Sequence, residues 1–328
     1  MRGTMETGIY VIAEHNELPF TGTLEAFTLA RVLASARGWS VHLLVLGSDI
    51  GNQAKQLAEK TGCDVLAIEG NALEEYSAEG YCAALREQLS GMEAGLICIP
   101  GTSRGNEYAP ALALALSSGC LPDVTRFRTE GEHLVFTRTG WYGKLEMEAV
   151  ISSPRGVLTV SPGAFRFEEI PRPPGRITRV HSDLPLSDTL DVQAETSEET
   201  ESGLLEAEVI VAGGRGLRKA ENLPHLHDLA SLFRRSAVGG SRPACDSGWL
   251  SYGSQIGFTG KTVAPRLYIA CGISGSPQHI AGMKGARFVV VINSDPEAPF
   301  FQNADIGIVA RLEEFIPVFV EGVRASRS

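Results

Sequence analysis

Residues Cys271–Gly285, CGISGSPQHIAGMKG, set glycines, serines, a proline, a glutamine and a histidine directly after an apolar run. A core needs none of these types, and a simple turn needs fewer. Gly272 and Gly275 let the backbone turn and expose its amides. Ser276 is placed to cap a short helix over SPQHIAGMKGA, and Pro277 suits its first turn, where a missing N–H costs nothing. Bare amides at a helix start attract an anion. A second stretch, GGRGL at Gly213–Leu217, follows another apolar run and adds Arg215, whose guanidinium forks onto phosphate better than an ammonium does. The third, Gly240–Pro265, contains five glycines and contributes Ser241–Arg242 and Thr259–Gly260–Lys261. It is too long for a mere connection.

Any one of these stretches is equally a structural turn. Together they describe a phosphate-bearing ligand with a long body laid across several strand ends, which favours a dinucleotide. Two common phosphate fingerprints are missing. GISGSPQH is not G-x-G-x-x-G, and GFTGKT lacks the G-x-x-x-x-G-K-[ST] spacing.

The elements that must position these loops follow from periodicity. From residue 9 to about 118, short apolar runs (IYVIA, VHLLVLG, DVLAI, AGLICIPG) alternate with helical stretches at TLEAFTLARVLASARG, Gly51–Thr61, Ala78–Leu89 and Glu107–Leu116. In the first helix Leu24, Phe27, Leu29 and Val32 fall on one face. Such alternation predicts a parallel sheet covered on both sides. HLVFTRTGWYGKLEMEAVI, within 124–170, alternates apolar and polar residues about a glycine, as antiparallel strands with one covered face do. Residues 171–203 turn proline-rich and acidic, a linker or solvated edge that puts a domain boundary near 200. A second α/β pattern follows. AEVIVAGGRGL, RLYIACGISG, RFVVVIN and IGIVA are its strands, SDPEAPFFQNAD is a loop, and Glu221–Phe233 and RLEEFIPVFVEGV are helices. This is a small doubly wound sheet with its glycine turns at carboxyl strand ends, where ligands bind in such folds.

Composition narrows the class. The chain has 328 residues, 43% hydrophobic and 21% charged, which suits two soluble domains with full cores. A net charge of −10 argues against nucleic acid and anionic membrane as general partners. No apolar run reaches membrane-span length, and the N-terminus lacks the features of a secretory signal. The six cysteines show neither C-x-x-C nor metal spacing, and Cys98 and Cys271 sit in apolar runs as small hydrophobes. A cytoplasmic, reducing setting fits.

The segments GGRGL, SR…D, GFTGK, PRLYIACGISGSPQHIAGMK and VVVINSDPEAPFFQNADIGIVA closely resemble, in order and spacing, the alpha subunit of electron transfer flavoproteins (the ETF alpha or FixB family). VIAEH, TLEAFTLAR and PGTSRGNEYAPALA extend the resemblance over nearly the full chain. It implies an α/β fold in which residues 1–200 form an N-terminal domain, a parallel sheet plus antiparallel strands that ends in an acidic linker. Residues 201–328 form a C-terminal doubly wound FAD-binding domain. It further implies an electron carrier without its own substrate turnover. In that family a beta subunit completes the FAD site. Electrons arrive from flavin dehydrogenases of the acyl-CoA type or similar, commonly in fatty acid beta-oxidation, and leave to a quinone reductase or other acceptor. No nucleic acid and no direct membrane insertion are implied. Some relatives are NADH-linked and electron-bifurcating, and a flavin-free binding module of the same fold is a further alternative. A nicotinamide-dependent dehydrogenase is disfavoured by the missing fingerprint.

Residue by residue, the resemblance implies that Arg215 sits beside FAD, with Ser241 and Arg242 against it and the Arg242 guanidinium over the isoalloxazine. That cation would favour anionic reduced flavin by Coulomb attraction. Gly257, Phe258 and Thr259 form a turn by the flavin, the Thr259 hydroxyl near N5. Ser274, Gly275, Ser276, Pro277, Gln278 and His279 line the ribityl and pyrophosphate path, with His279 near the C2 carbonyl. Asn293, Arg311 and Leu312 belong to the adenosine end. The chain departs from the family at three of these places. Phe258 replaces a glutamine, Ser276–Pro277 replaces a more apolar pair, and Arg311 replaces an acidic residue.

Four other stretches carry suggestive residues. His225 and His227 in HLHD point to different faces of a helix, and read as a solvated helix start. Glu14–His15 reads as structural or as part of the subunit interface. Gly101–Pro110 opens a helix and has the form of an anion site, which the resemblance leaves empty. The apolar residues Phe315, Ile316, Val318, Phe319 and Val320 exceed what one buried face requires, so the last helix packs internally and meets a partner, each in part.

Overall fold

Alternate residues of each central strand enter opposite cores, and this sets the architecture of both halves. The computed structural model describes residues 7–14, 20–91, 95–141, 145–184, 203–205 and 207–327. The chain separates into two units, residues 1–140 with 146–194 and residues 141–145 with 195–328. The expected boundary near 200 and most of the acidic linker lie outside the described residues.

The first unit runs β1 (Gly8–Ala13), α1 (Thr21–Arg37), β2 (Ser40–Gly47), α2 (Gly51–Thr61), β3 (Val65–Glu69), α3 (Ala78–Leu89), β4 (Gly95–Pro100) and α4 (Ser103–Ala115). It continues with β5 (Gly119–Glu130), β6 (His133–Gly140), β7 (Leu145–Val150), β8 (Arg155–Val160) and β9 (Ile177–His181). Nine strands form one sheet in the order β7-β6-β5-β8-β4-β1-β2-β3-β9. The pairs around β1 are parallel, while β5 runs parallel to β8 and antiparallel to β6. Ile9, Val11 and Ala13 enter the core under α1 and α2, while Tyr10 and Ile12 enter the one under α3 and α4. A strand buried on both faces has no polar side to show, hence the unbroken apolar runs.

Three details of this unit differ from expectation. In α1, residues 23–30 are all buried and Leu33 takes the inner face, whereas Val32 is exposed. The second helix face is covered as well, so simple amphipathic spacing misplaces its edge. β6 buries Leu134, Val135 and Phe136 in succession, but β7 is largely exposed on both faces, with Leu145, Met147 and Val150 in solvent. Its carboxylates Glu146 and Glu148 pair with Arg126 and Arg128 of β5 at 2.6 and 2.9 Å. Third, part of the proline-rich edge is a strand, since β9 adds to β3 in parallel register.

The second unit is a five-stranded, all-parallel sheet in the order β11-β10-β12-β13-β14. Its strands are β10 (Val209–Gly213), β11 (Ser236–Gly240), β12 (Leu267–Cys271), β13 (Val289–Asn293) and β14 (Ile306–Val309). Its helices are α5 (Leu223–Ala230), α6 (Arg242–Asp246), α7 (Pro277–Ala281) and α8 (Leu312–Arg327). α5 and α8 cover one face through Leu226, Leu229, Ile316 and Val320. Shorter pieces cover the other: Ile256, Val263, Met283 and Phe300 pack on Tyr268, Ala270 and Val291. Val318 and Phe319 of α8 stay exposed at 70% and 41%, so only part of that helix's apolar surplus is used internally. All six cysteines are free thiols, with Cys98 and Cys271 fully buried as expected.

Candidate functional site

The chain leaves β10 toward β11 on one side of the sheet and returns through β12 to β13 and β14 on the other. β10 and β12 therefore flank a topological switch point, where a crevice opens beyond the carboxyl ends. Both glycine turns meet there. The Gly214 N–H donates to the Cys271 carbonyl and the Gly216 N–H to the Gly272 carbonyl, each at 2.9 Å. A Cβ at Gly214 would lie 2.4 Å from the Gly272 oxygen, so backbone packs on backbone with no room for a side chain. Gly275, at φ +88°, is likewise pressed against the Phe300 backbone, which a Cβ would approach to 2.6 Å.

The helix expected over 276–286 is only five residues, Pro277–Ala281. Ser276 caps it as expected, its hydroxyl accepting from the His279 amide at 3.4 Å. Five residues carry little macrodipole, so the anion-attracting element is the chain just before the helix. Among the described residues, the Ser274, Gly275 and Ser276 amides have no hydrogen-bond partner. The side chains of Ser274, Ser276 and Gln278 are exposed around them. Such a run of amides holds an anion without a long helix behind it.

The stretch 240–265 is not the featureless loop its glycines suggest, because it holds α6 and is pinned along its length. The Ser241 amide donates to Gly213, that of Ile256 to Gly240 and that of Val263 to Gly282, at 2.9, 2.8 and 2.7 Å. The Phe258 amide donates to the Gln278 carbonyl at 2.8 Å, joining the Gly257–Thr259 turn directly to α7. Phe258 itself projects outward, 65% exposed. Gln255, buried, donates to the Thr259 hydroxyl at 2.9 Å. Ser241 is buried and Arg242 exposed, with Asp246 3.7 Å from the guanidinium. Tyr252 donates to the same Asp246 at 3.0 Å. Arg215 is exposed, with no ion-pair partner among the described residues.

Three expected site residues are placed otherwise than a ligand-facing role suggests. His279 lies 4% exposed in the core, its Nε2 2.9 Å from the Tyr268 hydroxyl and its ring edge-on to Phe300. Burial lowers its pKa to about 4, opposed by the Ile256 backbone. Asn293 is buried and engaged at both ends of its amide: Nδ2 donates to Ile273 and Oδ1 accepts from Asp295, at 3.0 and 3.1 Å. It braces the crevice from within. Arg311 bonds Glu313 at 2.7 Å, and Arg218 reaches the same carboxylate at 3.7 Å. The Glu313 backbone amide and then Arg311 hold that carboxyl below its usual range. The Arg311 guanidinium is thus balanced by carboxylates at the start of α8, while Leu312 is buried against Gly272.

Sequence reasoning missed Gln255, Asp246, Tyr252, Glu313 and Tyr268. Only two had a local signal, Asp246 four residues after Arg242 and Glu313 two after Arg311. The residues present fit an extended dinucleotide: free amides, one unpaired guanidinium and exposed hydroxyls lie along linked strand ends.

Comparison with known proteins bears on this arrangement. Residues 203–284 match the profile described as the electron transfer flavoprotein FAD-binding domain, and residues 9–183 the electron transfer flavoprotein domain. The chain is 36% identical to electron transfer flavoprotein subunit alpha of Bacillus subtilis, covering 91% of each chain. It is 33% identical to Protein FixB of Clostridium saccharobutylicum over 95% of each. The mitochondrial subunit alpha of Dictyostelium discoideum is 34% identical over 97% of this chain and 92% of its own.

The chain belongs to the electron transfer flavoprotein alpha subunit family. The profile of the family's FAD-binding domain spans β10, β11, β12 and α7, the elements that build the switch-point crevice. Its α/β architecture is the expected one, a mixed sheet in one unit and a parallel sheet in the other. In the first unit, Glu14 is buried and accepts from the Thr102 hydroxyl, which caps α4, while His15 lies outside the described residues. His227 is exposed and His225 half-buried on α5, on different faces as expected. No helix among the described residues is long and apolar enough to cross a membrane.

Proposed function

We propose that this chain is the alpha subunit of a heterodimeric electron transfer flavoprotein, with residues 1–200 as its N-terminal α/β domain and residues 201–328 as its FAD-binding domain. The observation that carries the reading is the crevice at β10 and β12, where Gly214 and Gly216 pack on Gly272 beside the free amides of Ser274–Ser276. Bound FAD would supply the reversible uptake of electrons. The chain's own residues bind and tune. The Ser274–Ser276 amides and Arg215 receive the pyrophosphate. Thr259, aimed by Gln255, and Phe258 flank the ring system. Arg242, with Ser241, brings positive charge where negative charge develops, and Asp246 limits how far that guanidinium wanders. Leu312 and Arg311 close the adenosine end.

In this reading a beta subunit completes the site, and no group of the chain acts as an acid or base on a substrate. Electrons come from flavin dehydrogenases of the acyl-CoA type or similar. They go to a quinone reductase or another electron acceptor, with the carrier itself in the cytoplasm. The reading does not depend on fatty acid beta-oxidation as the source of those electrons.

The test is co-expression with the candidate beta subunit, followed by absorption spectroscopy and FAD quantitation. A yellow heterodimer holding FAD in proportion to this chain, reducible by a flavin dehydrogenase, is expected. A colourless heterodimer that rejects added FAD would overturn the proposal. A second flavin reducible by NADH would move it to the bifurcating class.

A further inference from the structure

Tyr268 is the second residue of β12, fully buried, where a phenol needs a reason. Its hydroxyl lies 2.9 Å from His279 Nε2. The two rings and Phe300 form a closed aromatic cluster, with centroids 6.2 Å (Tyr268–His279), 5.9 Å (His279–Phe300) and 6.5 Å (Tyr268–Phe300) apart. The cluster underlies the candidate site. The Phe300 amide donates to the Ser274 carbonyl at 3.1 Å, and Gly275 presses on the Phe300 backbone. His279 also follows Gln278, whose carbonyl holds the Phe258 amide.

The hydroxyl–imidazole bond can be written two ways. If Nε2–H donated, the Tyr268 O–H would be left as a buried donor without an acceptor, and Nδ1 as a buried acceptor without a donor. If Tyr268 donates, only the Nδ1–H remains to be placed. The second arrangement strands fewer buried groups, and a stranded donor is the costlier kind. Among the described residues, Nδ1 is buried and has no hydrogen-bond partner.

We propose that Tyr268 is a positioning residue of the FAD site: its hydroxyl donates to His279 Nε2, fixes the neutral ring with its proton on Nδ1, and so sets the place of α7, whose Gln278 carbonyl holds the Phe258 amide. Tyr268 touches no cofactor atom in this scheme and acts through His279. The proposal rests on the FAD reading above and adds to it a residue that no ligand-facing loop contains.

The tautomer is measurable directly in the full chain labelled with 15N-histidine. Two-bond proton–nitrogen couplings give its pattern, and a His279→Asn variant assigns the signal. The wild type is expected to show one Nδ1–H tautomer. Tyr268→Phe, which keeps the ring in the core, is expected to show exchange between both tautomers and at least tenfold weaker FAD binding by the co-expressed heterodimer. An Nε2–H tautomer in the wild type, or unchanged FAD affinity in Tyr268→Phe, would overturn the proposal. Failure of the FAD reading itself looks different, because then the wild-type heterodimer takes up no FAD whatever its tautomer.

Discussion

The two units contain the same topological feature with opposite chemistry. In the first, the chain leaves β1 toward β2 on one side while β4 lies on the other, as it leaves β10 and β12 in the second. Both sheets therefore open a crevice at carboxyl strand ends. The first crevice is held by a carboxylate. Glu14, 5% exposed after β1, accepts from the Thr102 hydroxyl, and that hydroxyl accepts from the Gly105 amide at 2.9 Å at the start of α4. A resident anion already answers the positive end of that helix. Beneath it the Tyr108 hydroxyl is buried and has no partner among the described residues, its pKa raised by burial and then by the Glu14 charge. The second crevice has glycines, free amides and Arg215 instead. Topology makes a place for a ligand, and side-chain charge decides whether a pyrophosphate is admitted.

That contrast breaks most visibly in acid. His279 is neutral and buried, and burial lowers its pKa in the folded chain to about 4 from the ordinary imidazole value of 6.5. The unfolded chain thus takes up the proton first. Stability is intact above pH 6.5 and falls as pH drops toward 4, by roughly 3 kcal/mol in the second unit. Hydrogen exchange followed by mass spectrometry should show that unit opening first, and His279→Gln should flatten the slope. Equal pH sensitivity of both units would show that His279 does not govern the second.

Packing at the switch point supplies the next effect. Gly214→Ala forces a Cβ onto the Gly272 carbonyl and should cost roughly 1–3 kcal/mol of stability. FAD affinity, measured by equilibrium dialysis, should fall more than tenfold. Retained affinity would mean that the two glycine turns need not touch. Arg242→Gln sharpens the electrostatic half of the comparison. The guanidinium is largely exposed and shared with Asp246, so its loss should lower the flavin potential by only about 1 kcal/mol, roughly 20 mV for two electrons. Spectroelectrochemistry checks it. The smallest effect belongs to the first crevice. Glu14→Gln should cost up to about 1 kcal/mol by weakening the anchor of α4, read by chemical denaturation. FAD affinity should not change, and a change would unite two sites that the charges keep apart.

Particular residues show what was readable in advance. α3 falls on Ala78–Leu89 as its periodicity dictates, and Ser276 caps α7 as its type and position require. Cys98 and Cys271 are buried because their runs are strands covered on both faces. β11 went unread because SAVGG carries two glycines and little apolar bulk, yet it pairs with β10 along its whole length. Asn293 and Arg311 carry ligand-like types, but partners distant or on the next turn satisfy them internally.

By itself, then, the sequence determined two α/β patterns, their strand ends and the glycine turns placed there, since alternation and turn chemistry act between near neighbours. The resemblance, equally a property of the sequence, pointed to FAD. Only the tertiary structure decided that α7 stops at five residues, that His279 turns inward to Tyr268, and that Phe258 is tied to Gln278. Each depends on one backbone approaching another within hydrogen-bond reach, from segments far apart in the chain. No local pattern encodes that approach, because the partner that forces it is brought in by the packing of the whole sheet.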